Sequence, residues 1–190
     1  MTTGSRVTRK YRDPVFTFCA VLPPYVMKDE DVRVTDADAD ALERVYREEG
    51  HRLWRAILAY AGDPQVADDA VAEAFAQALR RGDALRDPAR WVWAVAFRIA
   101  KGELADRRRT DGGAPPDGMY DMPESSRDVV AALARLSPKQ RASVVLHHYA
   151  GYPVKEIVPM LGSTTAAVRV HLSQARKRLR VLLDEEERDD

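Results

Sequence analysis

Side chains that can recognise DNA are concentrated near the C-terminal end of the sequence. Arginine can pair with guanine and glutamine with adenine, so Arg169 and Gln174 are candidates for contacts with base edges. The neighbouring basic side chains suit phosphates, which position a protein on the duplex. The full set of candidates is Thr165, Arg169, Val170, His171, Ser173, Gln174, Arg176, Lys177 and Arg178. A charge run alone is more often a solvated helix face, so the interpretation depends on the elements that carry these residues.

A second group combines aromatic with basic side chains. Aromatic faces and a basic groove can hold unstacked bases, and each stacked base is worth about 1 to 3 kcal/mol. The candidates are Trp93, Phe97, Arg98, Lys101, Arg107 and Arg108. Ordinary packing is the alternative for Trp93. For Trp91 we favour ordinary packing in the core, because large aromatic side chains dominate small helical cores.

An acidic group precedes these aromatic residues. Asp68, Asp69 and Glu73 could form a solvated helix face, or their charge could complement a basic partner surface. The residues alone leave both interpretations open.

Residues that could support catalysis or metal binding are few. His147 and His148 with Glu156 make the best case for an enzyme, but adjacent helical residues point about 100° apart and cannot share a site. Cys19 is the single cysteine, so neither an internal disulfide nor a cysteine zinc cluster can form. The sequence has no nucleotide-binding loop and no nucleophile elbow. We therefore expect no enzyme activity, no metal and no cofactor.

Capping signals divide the first half of the sequence into three helices. The apolar pattern after Asp36 predicts a long helix that ends at Gly62. Asp63-Pro64 and Asp87-Pro88 each place a capping aspartate before a proline in the first turn, which predicts two further helices.

The second half contains a helix-turn-helix pattern. A short helix is predicted over Val129–Leu136, and Ser137-Pro138-Lys139-Gln140 is a capping box that starts another helix, which ends near Tyr149. Val154–Leu161, a tight turn and Thr164–Leu183 follow, and the last of these helices could enter the major groove. Pro159 lies inside the helix before the turn, where it should remove one hydrogen bond and kink the helix.

These elements predict an all-α protein with two small helical domains joined by a flexible linker. At 190 residues each half could form only a small core. The Gly- and Pro-rich stretch between the halves has no apolar period, which is typical of a linker. The expected boundaries are a poorly ordered extension over 1–35, a helical domain over 36–109, a linker over 110–128, a helix-turn-helix domain over 129–184 and an acidic tail over 185–190.

Charge and apolar runs give weaker indications of partners and location. The formal net charge is zero, so the distribution of charge is more informative than its sum. Val15–Leu22 is too short to span a bilayer, so we expect no membrane association. A chain with one cysteine fits a reducing cytoplasm.

Two stretches together resemble the extracytoplasmic-function (ECF) sigma factors of the sigma-70 family. Leu136-Ser137-Pro138-Lys139-Gln140-Arg141 through Leu179 is similar to their C-terminal domain, which binds the minus-thirty-five promoter element. Gly62-Asp63-Pro64 with residues 67–75 resembles the helix by which such factors hold the polymerase clamp. Arg90-Trp91-Val92-Trp93-Ala94-Val95-Ala96 resembles their promoter-melting helix.

The resemblance implies partners and residue roles. It implies binding to core RNA polymerase and promoter DNA, with an anti-sigma factor as a further partner. The implied polymerase-binding residues are Asp68, Asp69, Ala72, Glu73 and Phe75, and the minus-ten and melting residues are the aromatic and basic candidates given above. Family members usually have Asn where Arg98 stands and often Gln where Ala72 stands, so the base preference does not transfer.

Two other functions remain alternatives. A stand-alone helix-turn-helix regulator that binds an operator would need only the second domain, and it would leave residues 63–109 unexplained. A pure protein-interaction role would follow if Pro159 had abolished DNA recognition. A requirement for core polymerase distinguishes a sigma factor from the operator-binding regulator.

Overall fold

Seven α-helices make up most of the described chain. The computed structural model describes residues 36–110 and 124–189, and the predicted extension over residues 1–35 lies outside them. No strand occurs within those two ranges, so the predicted all-α class is confirmed. The helices are α1 Asp36–Ala61, α2 Pro64–Arg81, α3 Pro88–Thr110, α4 Glu124–Ala134, α5 Pro138–Val144, α6 Val154–Leu161 and α7 Thr165–Asp189. A short 3₁₀ turn, Gly82–Ala84, follows α2, and a π-turn, Val145–Tyr149, extends α5.

Capping side chains decide where several helices begin, as the sequence predicts. Asp63 Oδ1 accepts from the backbone N–H groups of Gln65 (2.8 Å) and Val66 (3.4 Å) at the start of α2. Asp87 Oδ1 accepts from the N–H of Arg90 at 3.0 Å. Ser137 and Gln140 form the predicted capping box at the start of α5.

Three helix ends differ from the sequence-based expectation. α4 begins at Glu124, inside the stretch expected to be linker. α7 runs to Asp189, so the acidic residues expected to form a tail continue the helix. α5 ends in a π-turn closed by the Ala150 N–H, which donates to the Val145 carbonyl at 2.9 Å. Tyr149 is the last residue of this turn, and Ala150 follows it.

α1–α3 form an N-terminal module, and α4–α7 form a C-terminal module. Leu53, Ile57 and Val92 are buried in the first module, and Leu146 and Ile157 are buried in the second. These residues belong to one continuous apolar cluster that runs through both modules. The two modules therefore share a core.

Polar contacts accompany the apolar packing between the modules. Arg141 of α5 is 9% exposed and its Nη1 donates to the Tyr60 carbonyl of α1 at 2.8 Å. Arg52 Nη2 of α1 donates to the carbonyls of Tyr149 (3.1 Å) and Ala150 (2.8 Å) at the π-turn. Each arginine satisfies carbonyls of the other module, because helix ends leave such groups without partners inside the helix.

Candidate nucleic-acid interface

The α6–α7 turn has the geometry of a helix-turn-helix. Gly162 adopts a left-handed conformation with φ of 56°, which glycine reaches without a Cβ penalty. The Ser163 N–H donates to the Val158 carbonyl at 3.0 Å, which closes the end of α6. Thr164 Oγ1 then accepts from the Ala167 N–H at 3.1 Å and caps α7. The turn and the cap fix the direction in which α7 leaves α6.

One face of α7 packs inward, and most of the candidate DNA contacts lie on its exposed side. Val168, Leu172 and Ala175 are buried, at the three- and four-residue spacing of a helix face. Eight of the nine candidate DNA contacts are exposed. They are Thr165, Arg169, Val170, Ser173, Gln174, Arg176, Lys177 and Arg178.

His171 is the exception on this helix. Its side chain is half-buried, and burial lowers its pKa, with the nearby charge of Lys139 adding to the effect. A lowered pKa favours the neutral imidazole near pH 7. His171 therefore adds little positive charge to the exposed face of α7.

Gln174 has a partner that the sequence does not reveal. Gln140 Nε2 of α5 donates to Gln174 Oε1 at 3.0 Å, across 34 positions of sequence. Nothing in the local pattern around either residue signals this contact. The capping box does predict that the Gln140 side chain folds back over the start of α5, which is the only part of the arrangement that sequence could find.

Pro159 lies within α6, and the helix runs across it without interruption. α6 spans Val154–Leu161, and Pro159 itself is exposed. Proline has no N–H, so the hydrogen bond to the Lys155 carbonyl is absent by chemistry. The expected kink stays a prediction, but the helix-turn-helix geometry is intact around it.

Two aromatic candidates for holding unstacked bases, Trp93 and Phe97, are buried in this conformation. Trp93 is 1% exposed and Phe97 is 2% exposed. Trp91, which we expected in the core, is only half-buried, and the Arg81 guanidinium lies 5.1 Å from its ring centroid. Ordinary packing, the alternative considered for Trp93, describes it in this conformation, whereas Trp91 packs against the core with part of its side chain exposed.

Contacts with both modules explain why Trp93 is buried. Its ring packs edge-on against Tyr152 of the C-terminal module, with centroids 5.7 Å apart. Its Nε1 donates to Glu49 Oε2 at 3.2 Å, and Arg52 lies over the ring at 5.7 Å. Burial raises the pKa of Tyr152 to about 12, and the charge of Glu49 adds to that rise. Trp93 thus lies between the modules.

The basic candidates on α3 divide into exposed and paired side chains. Arg98 and Lys101 are exposed. Arg107 forms an ion pair with Asp63, the buried cap of α2, which gives Arg107 a structural role. The side chain of Arg108 lies outside the part of the chain that the structure describes.

The acidic candidates lie together on the exposed face of α2. Asp68 Oδ1 accepts from Trp54 Nε1 at 2.7 Å, and Asp69 Oδ1 accepts from Gln65 Nε2 at 3.0 Å. Glu73 Oε1 accepts from Gln77 at 2.9 Å and from Arg80 at 2.8 Å. The hydrogen bond from Gln77, followed by the charge of Arg80, lowers the pKa of Glu73. Its carboxylate is therefore charged at neutral pH.

Apolar residues flank this acidic face. Ala72 is exposed, and Phe75 is 9% exposed. Phe75 packs edge-on against Tyr46 of α1, with ring centroids 5.0 Å apart. Both rings line a shallow groove of about 350 Å³ between α1 and α2, together with Leu79. The α2 surface thus combines negative charge with an apolar groove.

The histidine pair forms no metal site in the described part of the chain. His147 Nδ1 lies 2.9 Å from the Tyr152 carbonyl, and His148 is exposed. No group of three potential metal-ligating side chains occurs within 36–110 and 124–189. In the same residues, no helix combines the length and the apolar character that a bilayer crossing requires.

Comparisons with known proteins connect both surfaces to one family. Residues 45–113 match the family model for Sigma-70 region 2, and residues 126–179 match that for Sigma-70, region 4. The ECF RNA polymerase sigma factor SigL of Mycobacterium tuberculosis is 29% identical over 163 residues, covering 78% of this chain and 92% of SigL. The ECF RNA polymerase sigma factor SigM of the same species is 30% identical over 156 residues, covering 77% of this chain and 79% of SigM.

A solved structure shows the same fold. The sigma factor RpoE of Bartonella quintana, in complex with the anti-sigma factor NepR, superimposes with a TM-score of 0.63 at 19% identity. The match covers 79% of this chain and 98% of that chain. Region 2 precedes region 4 along the chain, and both of the relatives named above are ECF sigma factors. The chain therefore belongs to the ECF sigma factors of the sigma-70 family and is an RNA polymerase sigma factor.

Proposed function

We propose that this sigma factor binds core RNA polymerase through the α2 surface and directs it to promoters through α7. The observation that carries this assignment is that one chain presents both matched regions with their polar faces exposed. Asp68, Asp69 and Glu73 offer negative charge beside an apolar groove, which suits a basic partner surface with apolar contacts. Ala72 and Phe75 would add contacts at the same surface.

The exposed face of α7 would contact the minus-thirty-five element. Early residues of a recognition helix reach base edges, so we assign the base contacts to Thr165, Arg169, Val170, Ser173 and Gln174. Arg176, Lys177 and Arg178 would contact phosphates, which carry most of the affinity and none of the sequence information. Partly buried His171 would lie at the border of this interface.

Trp93 and Phe97 would act on promoter DNA only after the two modules separate. In the packed arrangement the rings cannot stack on a base, whereas Arg98 and Lys101 are already exposed. We therefore assign the initial contacts near the minus-ten element to these two basic side chains. Arg107 would keep its pairing with Asp63, which supports the start of α2.

Regulation and location follow from the proposed role. A subunit that redirects core polymerase has a regulatory and not a catalytic function, and it works in the cytoplasm. An anti-sigma factor is a further proposed partner, since RpoE was solved in complex with one. The stand-alone operator-binding regulator is not favoured, because it does not account for the matched region over 45–113.

Dependence of DNA binding on core polymerase tests this proposal. We expect the free protein to bind duplex promoter fragments weakly in a gel-shift assay, and the complex with core polymerase to bind them tightly and selectively. A Glu73→Arg variant should lose co-purification with core polymerase, because it places a positive charge opposite the basic partner surface. It also removes the ion pair between Glu73 and Arg80. Glu48→Arg on the exposed surface of α1 is the matched control. Tight, selective binding by the free protein would contradict the proposal.

A further inference from the structure

We propose that Gln140 sets the base preference of Gln174 by fixing which end of the Gln174 amide points away from the protein. The inference rests on the proposed role of α7 in contacting promoter DNA. It goes beyond that role because it names a positioning residue on a different helix and a direction of base preference.

The capping box fixes the orientation of the Gln140 amide. The Ser137 backbone N–H lies 3.2 Å from Gln140 Oε1. A backbone N–H can only donate, so the oxygen end of the Gln140 amide must face it. The nitrogen end then points the other way, where Gln174 lies. Since the two ends of an amide have nearly the same shape, such partners are what decide its orientation.

The same argument determines the orientation of the Gln174 amide. Gln140 Nε2 can only donate, and it lies 3.0 Å from Gln174 Oε1. The carbonyl oxygen of Gln174 is therefore directed toward α5. The N–H groups of Gln174 Nε2 are left for a partner outside the protein. A fixed backbone donor at Ser137 thus determines, through two amides, what α7 presents at position 174.

This orientation changes the expected base. A glutamine that pairs with adenine uses its oxygen to accept from N6 and its nitrogen to donate to N7. With the oxygen turned toward Gln140, Gln174 cannot present both its oxygen and its nitrogen to one adenine edge, and the groups that face outward are its N–H donors. Donors match guanine, which presents the acceptors O6 and N7, and thymine, which presents O4. We therefore expect guanine or thymine, and not the adenine that residue type alone suggested.

A Gln140→Glu variant inverts the arrangement with little change in shape. Its carboxylate still accepts from the Ser137 N–H, and glutamate at this position is standard in a capping box, so the variant should fold. A carboxylate has no donor, so Gln174 must turn its Nε2 toward residue 140 and present its oxygen outward. The variant should then prefer a base that offers a donor, which is adenine through N6 or cytosine through N4.

The experiment is selection of promoter fragments, randomised across the minus-thirty-five element, by the complete complex of core polymerase with this protein. A Gln174→Ala complex identifies the base position that residue 174 contacts, as the position whose preference disappears. At that position we expect the wild type to favour guanine or thymine over adenine by about tenfold, and Gln140→Glu to reverse the preference. Ser137→Ala is the control, because it removes the hydroxyl cap but keeps the backbone N–H that orients Gln140.

The possible outcomes distinguish failure of this inference from failure of the proposed function. If wild-type complexes enrich no sequence at all, the proposed function fails and the inference fails with it. If they enrich a sequence but Gln140→Glu leaves the preference at the Gln174 position unchanged, the inference alone is overturned. It is also overturned if Gln174→Ala alters no position. Loss of the wild-type preference in Ser137→Ala would show that helix stability, and not amide orientation, controls the base choice.

Discussion

Arginine side chains have two separate roles in this molecule, and burial distinguishes them. Arg141 is buried, and its guanidinium donates to the carbonyls of Tyr60, Ala134 and Leu136. A guanidinium has five donors, which suits a site where several carbonyls converge. Arg169 and Arg178 extend from α7 into solvent, where a charged side chain is available for DNA. We propose a role in DNA recognition only for the second kind.

At the residue scale, Arg178→Ala should weaken DNA binding across all sequences. The side chain is assigned to a phosphate, so its loss should lower the slope of log affinity against log salt by about one unit. The measurement is fluorescence anisotropy of the polymerase complex on promoter and unrelated fragments over a series of KCl concentrations. Arg135→Ala, at an exposed arginine just after α4, serves as the control. An unchanged slope would remove Arg178 from the interface.

Residue types predict chemistry better than they predict surroundings. The exposed residues of α7 can be predicted from the spacing of its apolar residues and the positions of its charged residues, because both are visible in a single stretch of sequence. The burial of Trp93 cannot be predicted in this way, since it depends on Tyr152 from the other module. The Gln140–Gln174 contact is missed for the same reason. Contacts between distant residues leave no local signal.

At the element scale, helix starts are more predictable than helix ends. Asp63, Asp87 and Ser137 cap helices by local hydrogen bonds, so their roles can be inferred from a few adjacent residues. The early start of α4 and the π-turn after α5 are not predicted by the sequence pattern. The carbonyls of Tyr149 and Ala150 at the end of the π-turn accept from Arg52 of α1, which is a tertiary and not a local contact.

Pro159→Ala should stabilise the protein. Proline in a helix interior costs about 3 kcal/mol relative to alanine, part of which the stiffer unfolded chain offsets, so we expect a gain of about 1 to 2 kcal/mol. Pro159 is exposed, so the change removes no core packing. The free energy of unfolding in urea measures the effect.

Pro153→Ala provides a control with the opposite expected sign. Pro153 lies just before α6 with φ of −66°, a conformation that suits proline, so its loss should destabilise by about 0.4 to 1 kcal/mol. Equal effects at the two prolines would contradict this account of α6.

At the scale of the whole molecule, two modules that were expected to be separate pack into one arrangement. Both modules and their order follow from sequence, because each carries its own helix signals and apolar periods. Their packing against each other does not follow from sequence, because it depends on contacts between distant residues. Arg52 and Arg141 each donate to a backbone carbonyl of the other module, and Tyr152 packs against the ring of Trp93. The arrangement covers Trp93 and leaves the α2 surface and α7 exposed.

Arg52→Ala should shift the molecule toward separated modules. The variant loses the two hydrogen bonds from Arg52 to the carbonyls of Tyr149 and Ala150, and loss of even one charge-assisted hydrogen bond commonly changes an equilibrium by about tenfold. Spin labels at Arg44→Cys and Lys155→Cys, both exposed and one in each module, would measure the distance in a Cys19→Ser background. We expect one narrow distribution for the parent protein and an added long component for Arg52→Ala, with Arg55→Ala unchanged. A broad distribution in the parent protein would contradict the packed arrangement.

The central claim is that this chain gives core RNA polymerase its promoter specificity. Run-off transcription from fragmented genomic DNA of the source organism, with purified core polymerase in the presence and absence of the protein, tests that claim most directly. We predict discrete transcripts that require both components. The Arg169→Ala variant should reduce these transcripts at some promoters more than at others. The absence of new transcripts, together with tight DNA binding by the protein alone, would contradict the account.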